Sequence, residues 1–540
     1  MRNTVNGRLL HKVLLGLILL AGLPGAAMEQ SLSRGPYLQM GTPDSIVVRW
    51  RTTSPVDSRV LYGLAPASLI NSVEVPGSTS EHEVTLNELA PGTKYFYAVG
   101  SSTELMAGGD AEHFFQTSPT PGTRDPVRVW VIGDSGTADA NARAVRDAYE
   151  SFNGGRHTDL WLMLGDNAYD RGTDAEYQDA VFDMYPRMLR QSVVWPTLGN
   201  HDGYGASSDT LSGPYYDIFT LPGTAQAGGV ASGTEAYYSF DFGNIHFVCL
   251  NSHDVDRSVG GTMLTWLEQD LMNNAQDWTI AFWHHPPYTK GSHNSDSEDQ
   301  LIDMRENALP ILEDWGVDLV LSGHSHSYER SYLLDGHYGS SGTLTDVMKL
   351  DAGDGRIDGD GAYAKDAQGP AGHEGAVYVV AGSSGKLSNG GLDHPAMYRS
   401  LLMLGSMVLD VEGDRLQAKF LDDEGTLQDY FTVVKNSSAL PQVDFAATPT
   451  TGPAPLSVAF VDLSTANANS WAWDFDGDGT VDSTERDPTH LYATSGTYTV
   501  SLTVSNASGS DTRSRLGYIV VTGQGDSLPP VTGLRRTDKK

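Results

Sequence analysis

The 540-residue sequence predicts a multidomain protein in which a layered α/β domain, residues 125–435, is flanked by two all-β sandwiches. Three observations predict it. Between 125 and 435, apolar β runs alternate with helical stretches, the pattern of a layered α/β domain. Before 119 the chain is a series of short β runs separated by turn signals. After Pro441 the composition shifts to Thr, Ser, Ala and Asn, and β runs return. The length also calls for more than one core, because single cores stop growing at about 250–300 residues.

Residues 1–27 read as a secretory signal: Arg2, Arg8 and Lys12 make a basic start, 13–23 an apolar core, and Gly25-Ala26-Ala27 a small-residue cleavage site. The apolar run falls short of the about 20 residues a membrane helix needs. The expectation is a secreted protein, extracellular or periplasmic, with no membrane anchor. Cys249 is the single cysteine, so no intrachain disulfide forms; in the alternating run 245–250 it reads as a small buried hydrophobe rather than a reactive thiol. The formal net charge of −33 argues against nucleic acid or an anionic membrane as a stable partner. A phosphate substrate stays open if bound metal supplies local positive charge.

Residues 31–119 carry β runs at 45–52, 57–63, 82–86 and 94–100. The alternation in Ile46-Val47-Val48-Arg49-Trp50-Arg51 and the Pro91-Gly92 turn fit a sandwich of about 90 residues. The stretch 86–97, LNELAPGTKYFY, resembles the tyrosine-bearing corner of a fibronectin type III module. A polar linker, 121–125, follows.

In the central domain five apolar or β-rich runs, 127–132, 160–164, 193–198, 279–283 and 317–321, each stop at a polar motif. In order these are Gly133-Asp134-Ser135-Gly136, Gly165-Asp166-Asn167-Ala168-Tyr169, Gly199-Asn200-His201-Asp202, His284-His285-Pro286-Pro287-Tyr288 and Gly323-His324-Ser325-His326. Uncharged runs such as Leu160-Trp161-Leu162-Met163-Leu164 read as buried parallel strands. Ligands of open α/β sheets sit at the carboxyl ends of such strands. One Gly-Asp after a strand is most often an Asx turn, but five strand ends bearing metal-ligand residue types are hard to obtain by accident. Helical stretches at 141–151, 174–188, 262–273 and 299–313 supply covering layers, and 375–382 and 406–420 add β structure. The acidic stretch 349–364 fits no standard calcium register and reads as a solvated insertion in preference to a calcium loop.

Together the five motifs resemble those of the calcineurin-like metallophosphoesterases, and the tyrosine of GDxxY narrows the resemblance to the purple acid phosphatases, over roughly 34–434. The resemblance implies an α/β/β/α two-sheet sandwich behind a fibronectin type III-like N-terminal domain, with a binuclear metal site. By motif correspondence Asp134, Asp166, Tyr169 and His326 would hold Fe(III), for which carboxylate and phenolate are hard ligands. Asp166, Asn200, His284 and His324 would hold a divalent ion, Fe, Zn or Mn, with Asp166 bridging. His285 is the alternative to His284. His201 and His293 match positions where the family keeps histidines near the phosphate, to stabilise the transition state or protonate the leaving alcohol. His246 and His253 fit no motif and read as structural.

The implied reaction is hydrolysis of a small phosphomonoester, as an acid phosphatase, by in-line attack of a metal-bound hydroxide. Fe(III) with a divalent ion brings five positive charges; Asp134, Asp166, a deprotonated Tyr169 and the hydroxide remove four, leaving one for an incoming phosphate dianion to meet. A phosphodiesterase or nucleotidase with the same site is the alternative. A non-catalytic surface or adhesion protein, suggested by the flanking sandwiches, is the second, and five complete motifs count against it. Loops 204–216 and 349–364 are expected to set the substrate.

Beyond Pro441, residues 458–460, 470–475 and 496–504 read as strands of a second sandwich, 441–523. Trp473-Asp474-Phe475-Asp476-Gly477-Asp478-Gly479, His490-Leu491-Tyr492 and Gly496-Thr497-Tyr498 resemble a PKD domain, an immunoglobulin-like module expected to contact other proteins or polysaccharide. Asp474, Asp476, Asp478, Asp482 and Glu485 also fit the D-x-D-x-D-G-x5-E calcium loop, without the preceding helix of an EF-hand. Two readings stay open: a Ca²⁺ site, or carboxylates capping backbone amides at a tight turn. Residues 524–540 read as a linker or tail.

Overall fold

Two sheets stack face to face in the central domain. In the first, Val127–Ile132, Leu160–Met163 and Val193–Pro196 run parallel, and Gly405–Glu412, Arg415–Asp422 and Leu427–Val434 extend it antiparallel beyond Val127–Ile132. In the second, Ile245–Cys249, Trp278–Trp283, Leu319–Ser322 and Val377–Ala381 run parallel, with Tyr238–Phe242 antiparallel at one edge and Tyr328–Ser331 and Met397–Leu401 at the other. The computed structural model describes residues 31–436, 440–464, 468–506 and 509–523, so the segments 1–27 and 524–540, read as a signal and a tail, lie outside the described residues.

Side chains alternate along each strand. Phe247, Ile280, Phe282, Leu319, Leu321, Val377 and Val379 join the core shared with the first sheet. Val248, Ala281, Trp283, Val320, Tyr378 and Val380 face a second core under the helix Thr262–Met272, which buries Met263, Leu264, Leu267 and Leu271. The helix Ala140–Asn153 covers the first sheet, stacking Tyr149 on Trp130 at 4.5 Å. This is the expected α/β/β/α layering, and burial of both sheet faces is why strands such as Leu160–Met163 are unbroken apolar runs. The stretch 174–188 is not one helix: Asp174–Tyr177 passes through a wide turn, Gln178–Phe182, and a new helix starts at Pro186. A proline has no N–H to continue an existing helix but suits the first position of a new one.

The predicted strands 45–52 and 57–63 are a single bent strand, Ile46–Gly63, whose register slips between Arg51 and Ser58. Such bulges let one strand turn without breaking its ladder. Its partner Asn71–Leu86 is far longer than the predicted 82–86. At the corner the Ala90 N–H donates to Tyr95 Oη at 3.0 Å. Leu38 pairs with Val193, so these strands and the first central sheet form one 13-stranded sheet. Three arginines strengthen the junction. Arg34 and Arg51 both pair with Asp174, and Arg49 donates to the Asp217 and Ile218 carbonyls. The N-terminal region thereby grips both ends of segment 174–218, which carries Asn200 and His201.

The C-terminal region has a three-stranded and a four-stranded sheet closed on Phe445, Phe460, Trp473, Phe475, Tyr492 and Leu502. The Trp473 indole donates to the Glu485 carbonyl at 2.9 Å, and the Tyr492 hydroxyl to the Phe475 carbonyl at 2.9 Å. The tryptophan and tyrosine of its signature thus pin the acidic turn between them.

Candidate metal centre

The five strand-end motifs converge at one edge of the sandwich, tied by hydrogen bonds between their backbones. The Asp134 N–H donates to the Gly165 carbonyl, the Gly136 N–H to the Asp166 carbonyl and the Gly323 N–H to the His284 carbonyl. Carboxylates cross-link them further: Asp134 Oδ2 accepts the His324 N–H at 2.7 Å, and Asp166 Oδ1 the His201 N–H at 2.9 Å. Asp134, Asp166 and His324 all take left-handed backbone, with φ of 54°, 52° and 66°. Non-glycine residues held there mark sites where geometry is imposed by surrounding structure. Gly199 has to be glycine, because a Cβ would overlap the Asp166 backbone nitrogen.

Two groups of ligand atoms result. In one, Tyr169 Oη lies 3.2 Å from Asp134 Oδ1 and 3.3 Å from His326 Nε2. In the other, His284 Nε2 lies 3.0 Å from Asn200 Oδ1, 3.3 Å from Asp166 Oδ1 and 3.2 Å from His324 Nδ1. Each histidine's other nitrogen is engaged: His284 Nδ1 donates to the Leu164 carbonyl at 2.8 Å, His326 Nδ1 meets Ser388 Oγ at 2.8 Å, and His324 Nε2 faces Glu298 at 3.7 Å. Outer partners of this kind orient metal-binding imidazoles. The seven motif residues are thus brought together. His285 turns its Nδ1 to Ser252 Oγ at 2.9 Å, although its ring stays beside those of His284 and His324.

The electrostatics fit a cation. Asp134 and Asp166 are buried, and among the described residues only histidines lie within ion-pair distance of them. Buried charges without compensation are costly, so such sites are paired or metal-bound. Burial, then Asp134 and Asp166, pushes the Tyr169 hydroxyl far above the usual phenol range, so an added positive charge is needed to make it a phenolate. Burial disfavours a charged His284, but Asp166 and Asp134 outweigh it and raise its pKa. Burial foremost holds His324 down at about 3, neutral and ready as a ligand. Around His284 Nε2, three groups with lone pairs can share at most one proton, an arrangement a metal ion completes.

His201 and His293 both border these atoms. The His201 ring meets Tyr169 edge-on at 4.5 Å, and its Nδ1 donates to the Asp170 carbonyl at 2.7 Å, leaving Nε2 toward Asp166. His293 stacks on His324 at 3.7 Å and is held through Nδ1 by Glu298 at 2.8 Å. His246 is remote from this group, buried between Asp241 and Asp270. His253, expected to be structural, lies against Gly203 and 6.1 Å from the His285 ring.

Several supporting residues carried no role in the sequence reading. Asp202 is buried and accepts from Gly199 N, Asn167 N and Nδ2, and the Tyr177 hydroxyl, stapling the GNH turn to the GDxxY turn. Burial, then Asp166, lifts its pKa to about 6. Ser292 accepts the His326 N–H. Ser388 lies in the loop after Val377–Ala381, seven residues past its end, on the same side of the sheet as the motifs that follow the other strands.

Residues 127–328 match the calcineurin-like phosphoesterase family and residues 34–117 the N-terminal domain of purple acid phosphatases, while 438–521 match the PKD domain. The chain is a purple acid phosphatase-like metallophosphoesterase. As such it is a phosphoric ester hydrolase. Purple acid phosphatase 23 of Arabidopsis thaliana is 28% identical over 362 residues, 55% of this chain and 75% of that protein. Human acid phosphatase type 7 is 29% identical over 345 residues, 57% of this chain and 72% of its own length. Among solved structures, the yellow lupin purple acid phosphatase PPD1 shares the metallophosphoesterase's fold with a TM-score of 0.54 at 17% identity, covering 75% of each chain.

In the C-terminal turn, Asp474, Asp476 and Asp482 place carboxylate oxygens within 4.8 Å of one another, but Asp478 and Glu485 stand outside that group. Backbone amides also take these carboxylates: Asp474 accepts from Asp476, Gly477 and Gly479, Asp476 from Asp478, Asp478 from Thr480, and Asp482 from Phe475. Of the five residues that fit the calcium register, three are thus grouped, while the Glu485 backbone carbonyl accepts the Trp473 indole. In the stretch 349–364, Asp354 accepts from Arg356 N and Asp360 N, and Asp358 pairs with the Arg356 guanidinium. These carboxylates shape a loop.

Proposed function

We propose that the chain is an exported binuclear phosphomonoesterase. Asp134, Asp166, Tyr169 and His326 hold one ion, Fe(III), and Asp166, Asn200, His284 and His324 hold a divalent ion. The observation that carries the reading is the meeting of two ligand groups, one around Tyr169 Oη and one around His284 Nε2, with Asp166 beside both. The ions would polarise the phosphate and lower the pKa of a bound water. Phenolate and carboxylate favour the ferric ion, imidazole and amide the divalent one.

The chain's own residues then orient the substrate and handle its proton. His201, anchored at Nδ1 on Asp170, offers Nε2 to a phosphate oxygen on the Asp166 side. His293, anchored at Nδ1 on Glu298, offers Nε2 to the leaving alcohol and supplies its proton. We take 31–119, 125–435 and 441–523 as the domain limits, and the PKD surface as a contact for protein or polysaccharide. Segment 1–27 supports export, and no helix among the described residues is long and apolar enough to cross a membrane.

Initial rates of the purified full chain on nitrophenyl phosphate and bis(nitrophenyl) phosphate test this. The monoester is expected to turn over faster, and His293→Ala to lower kcat by about 10²- to 10⁴-fold. Faster diester hydrolysis would assign a phosphodiesterase, and hydrolysis of neither would return the chain to an adhesion role.

A further inference from the structure

Tyr204 is the most exposed aromatic side chain among the described residues, at 67%. Chemistry does not leave it there for want of a core, since Tyr215 and Tyr216 a few positions on are buried. Its hydroxyl has no hydrogen-bond partner among the described residues. Its position is nevertheless fixed. It ends the single turn Asp202–Tyr204, which begins at the Asp202 carboxyl that staples the GNH and GDxxY turns. Its N–H reaches the His201 carbonyl, and the next N–H, that of Gly205, donates to the Asp202 carbonyl at 3.1 Å. The ring meets His201 edge-on at 5.7 Å, and His201 in turn meets Tyr169 at 4.5 Å. Three rings thus lead from the metal-ligand group out to solvent, and the outermost presents an unused face.

We propose that Tyr204 is a specificity-determining platform: it stacks the aromatic part of the leaving alcohol, so the preferred substrates are phosphomonoesters of alcohols that carry a nucleobase or an aryl ring. This rests on the phosphomonoesterase reading and names its substrate class. The argument is geometric. With the leaving oxygen at His293, a flat group on the alcohol that extends across His201 meets the solvent-exposed ring of Tyr204, carried on a hydrogen-bonded turn. Stacking on such a ring is tolerant of the base, because every base has a π face. A flat group that covers the ring removes apolar surface from water, whereas a bare sugar phosphate leaves it wet.

The test compares adenosine 5′-monophosphate with ribose 5-phosphate, which share the same leaving hydroxyl and differ at the base. The ratio of their kcat/KM values should fall roughly 5- to 100-fold in Tyr204→Ala, the range that stacking of one base spans, and return in Tyr204→Phe and Tyr204→Trp. A residue that merely steadied His201 would slow both substrates together and leave the ratio alone; an unchanged ratio in Tyr204→Ala therefore overturns the proposal. A wild type that hydrolyses neither ester refutes the phosphomonoesterase reading instead. Calorimetric binding of phenylphosphonate against methylphosphonate still reads Tyr204 in that case: a preference for the phenyl compound that Tyr204→Ala removes supports the platform, and equal affinities, or a preference the variant keeps, overturn it.

Discussion

His246 is fully buried between two carboxylates, with Nδ1 2.8 Å from Asp241 Oδ1 and Nε2 2.9 Å from Asp270 Oδ2. Asp270 also takes the Ser239 hydroxyl and the Val230 N–H, so the cluster ties the strands Tyr238–Phe242 and Ile245–Cys249 to the helix Thr262–Met272. Burial works to strip the ring of its proton, but the hydrogen bonds to Asp241 and Asp270 outweigh it and lift the pKa to about 9. The folded value stands above the ordinary histidine value of about 6.5. The protonated ring therefore stabilises the fold fully below about pH 6.5, and that contribution is lost as pH rises through about 9. At 1.36 kcal/mol per pH unit the contribution is about 3 kcal/mol, or a fall in Tm of about 5 °C for a domain of this size. Scanning calorimetry of wild type and His246→Gln between about pH 6 and pH 10 reads it. The variant is less stable at neutral pH, because it leaves the Asp241 and Asp270 carboxylates without their cation, and its curve should lack the alkaline step, so the gap narrows toward about pH 10. Parallel curves would refute a charged His246.

Tyr169→Phe should remove the visible absorption that tyrosinate bound to Fe(III) gives the iron-loaded wild type; spectra taken alongside iron analysis check this, and a coloured variant excludes Tyr169 as the ferric ligand. In the PKD turn, Asp474→Ala should lower the stability of that domain by about 1–3 kcal/mol, since three backbone amides lose their acceptor. Calorimetry of the full chain with chelator and with millimolar calcium separates the causes. Destabilisation seen only with calcium would favour a cation site over capping.

The candidate ligands were legible because each lies at or just past the end of a buried strand, so a local pattern repeated five times marks residues that folding brings together. His284 was chosen over His285 by its spacing to the proline; in the structure one ring turns to Leu164 and Asn200 and the other to Ser252. The joining of the N-terminal strands to the central sheet was not legible. It depends on one edge pairing, Leu38 with Val193, and on arginines that find Asp174 and two carbonyls across 120 residues or more. Glu298 and Asp202 act through other residues and carry no pattern of their own. The calcium pattern and the capping reading share the same carboxylates, and spacing alone takes no account of the backbone amides that use them.

Metal content of the Asp166 variants tests the central claim most directly. Asp166 is placed beside both ligand groups, so its removal should cost both ions. Asp166→Asn keeps a residue that tolerates the left-handed backbone at φ 52° while removing the charge, and accompanies Asp166→Ala as the control for folding. With near-ultraviolet circular dichroism unchanged, the account predicts two bound ions per wild-type chain, as in other two-metal sites, and loss of both in either variant. Two ions retained by a folded Asp166→Ala would contradict a shared carboxylate.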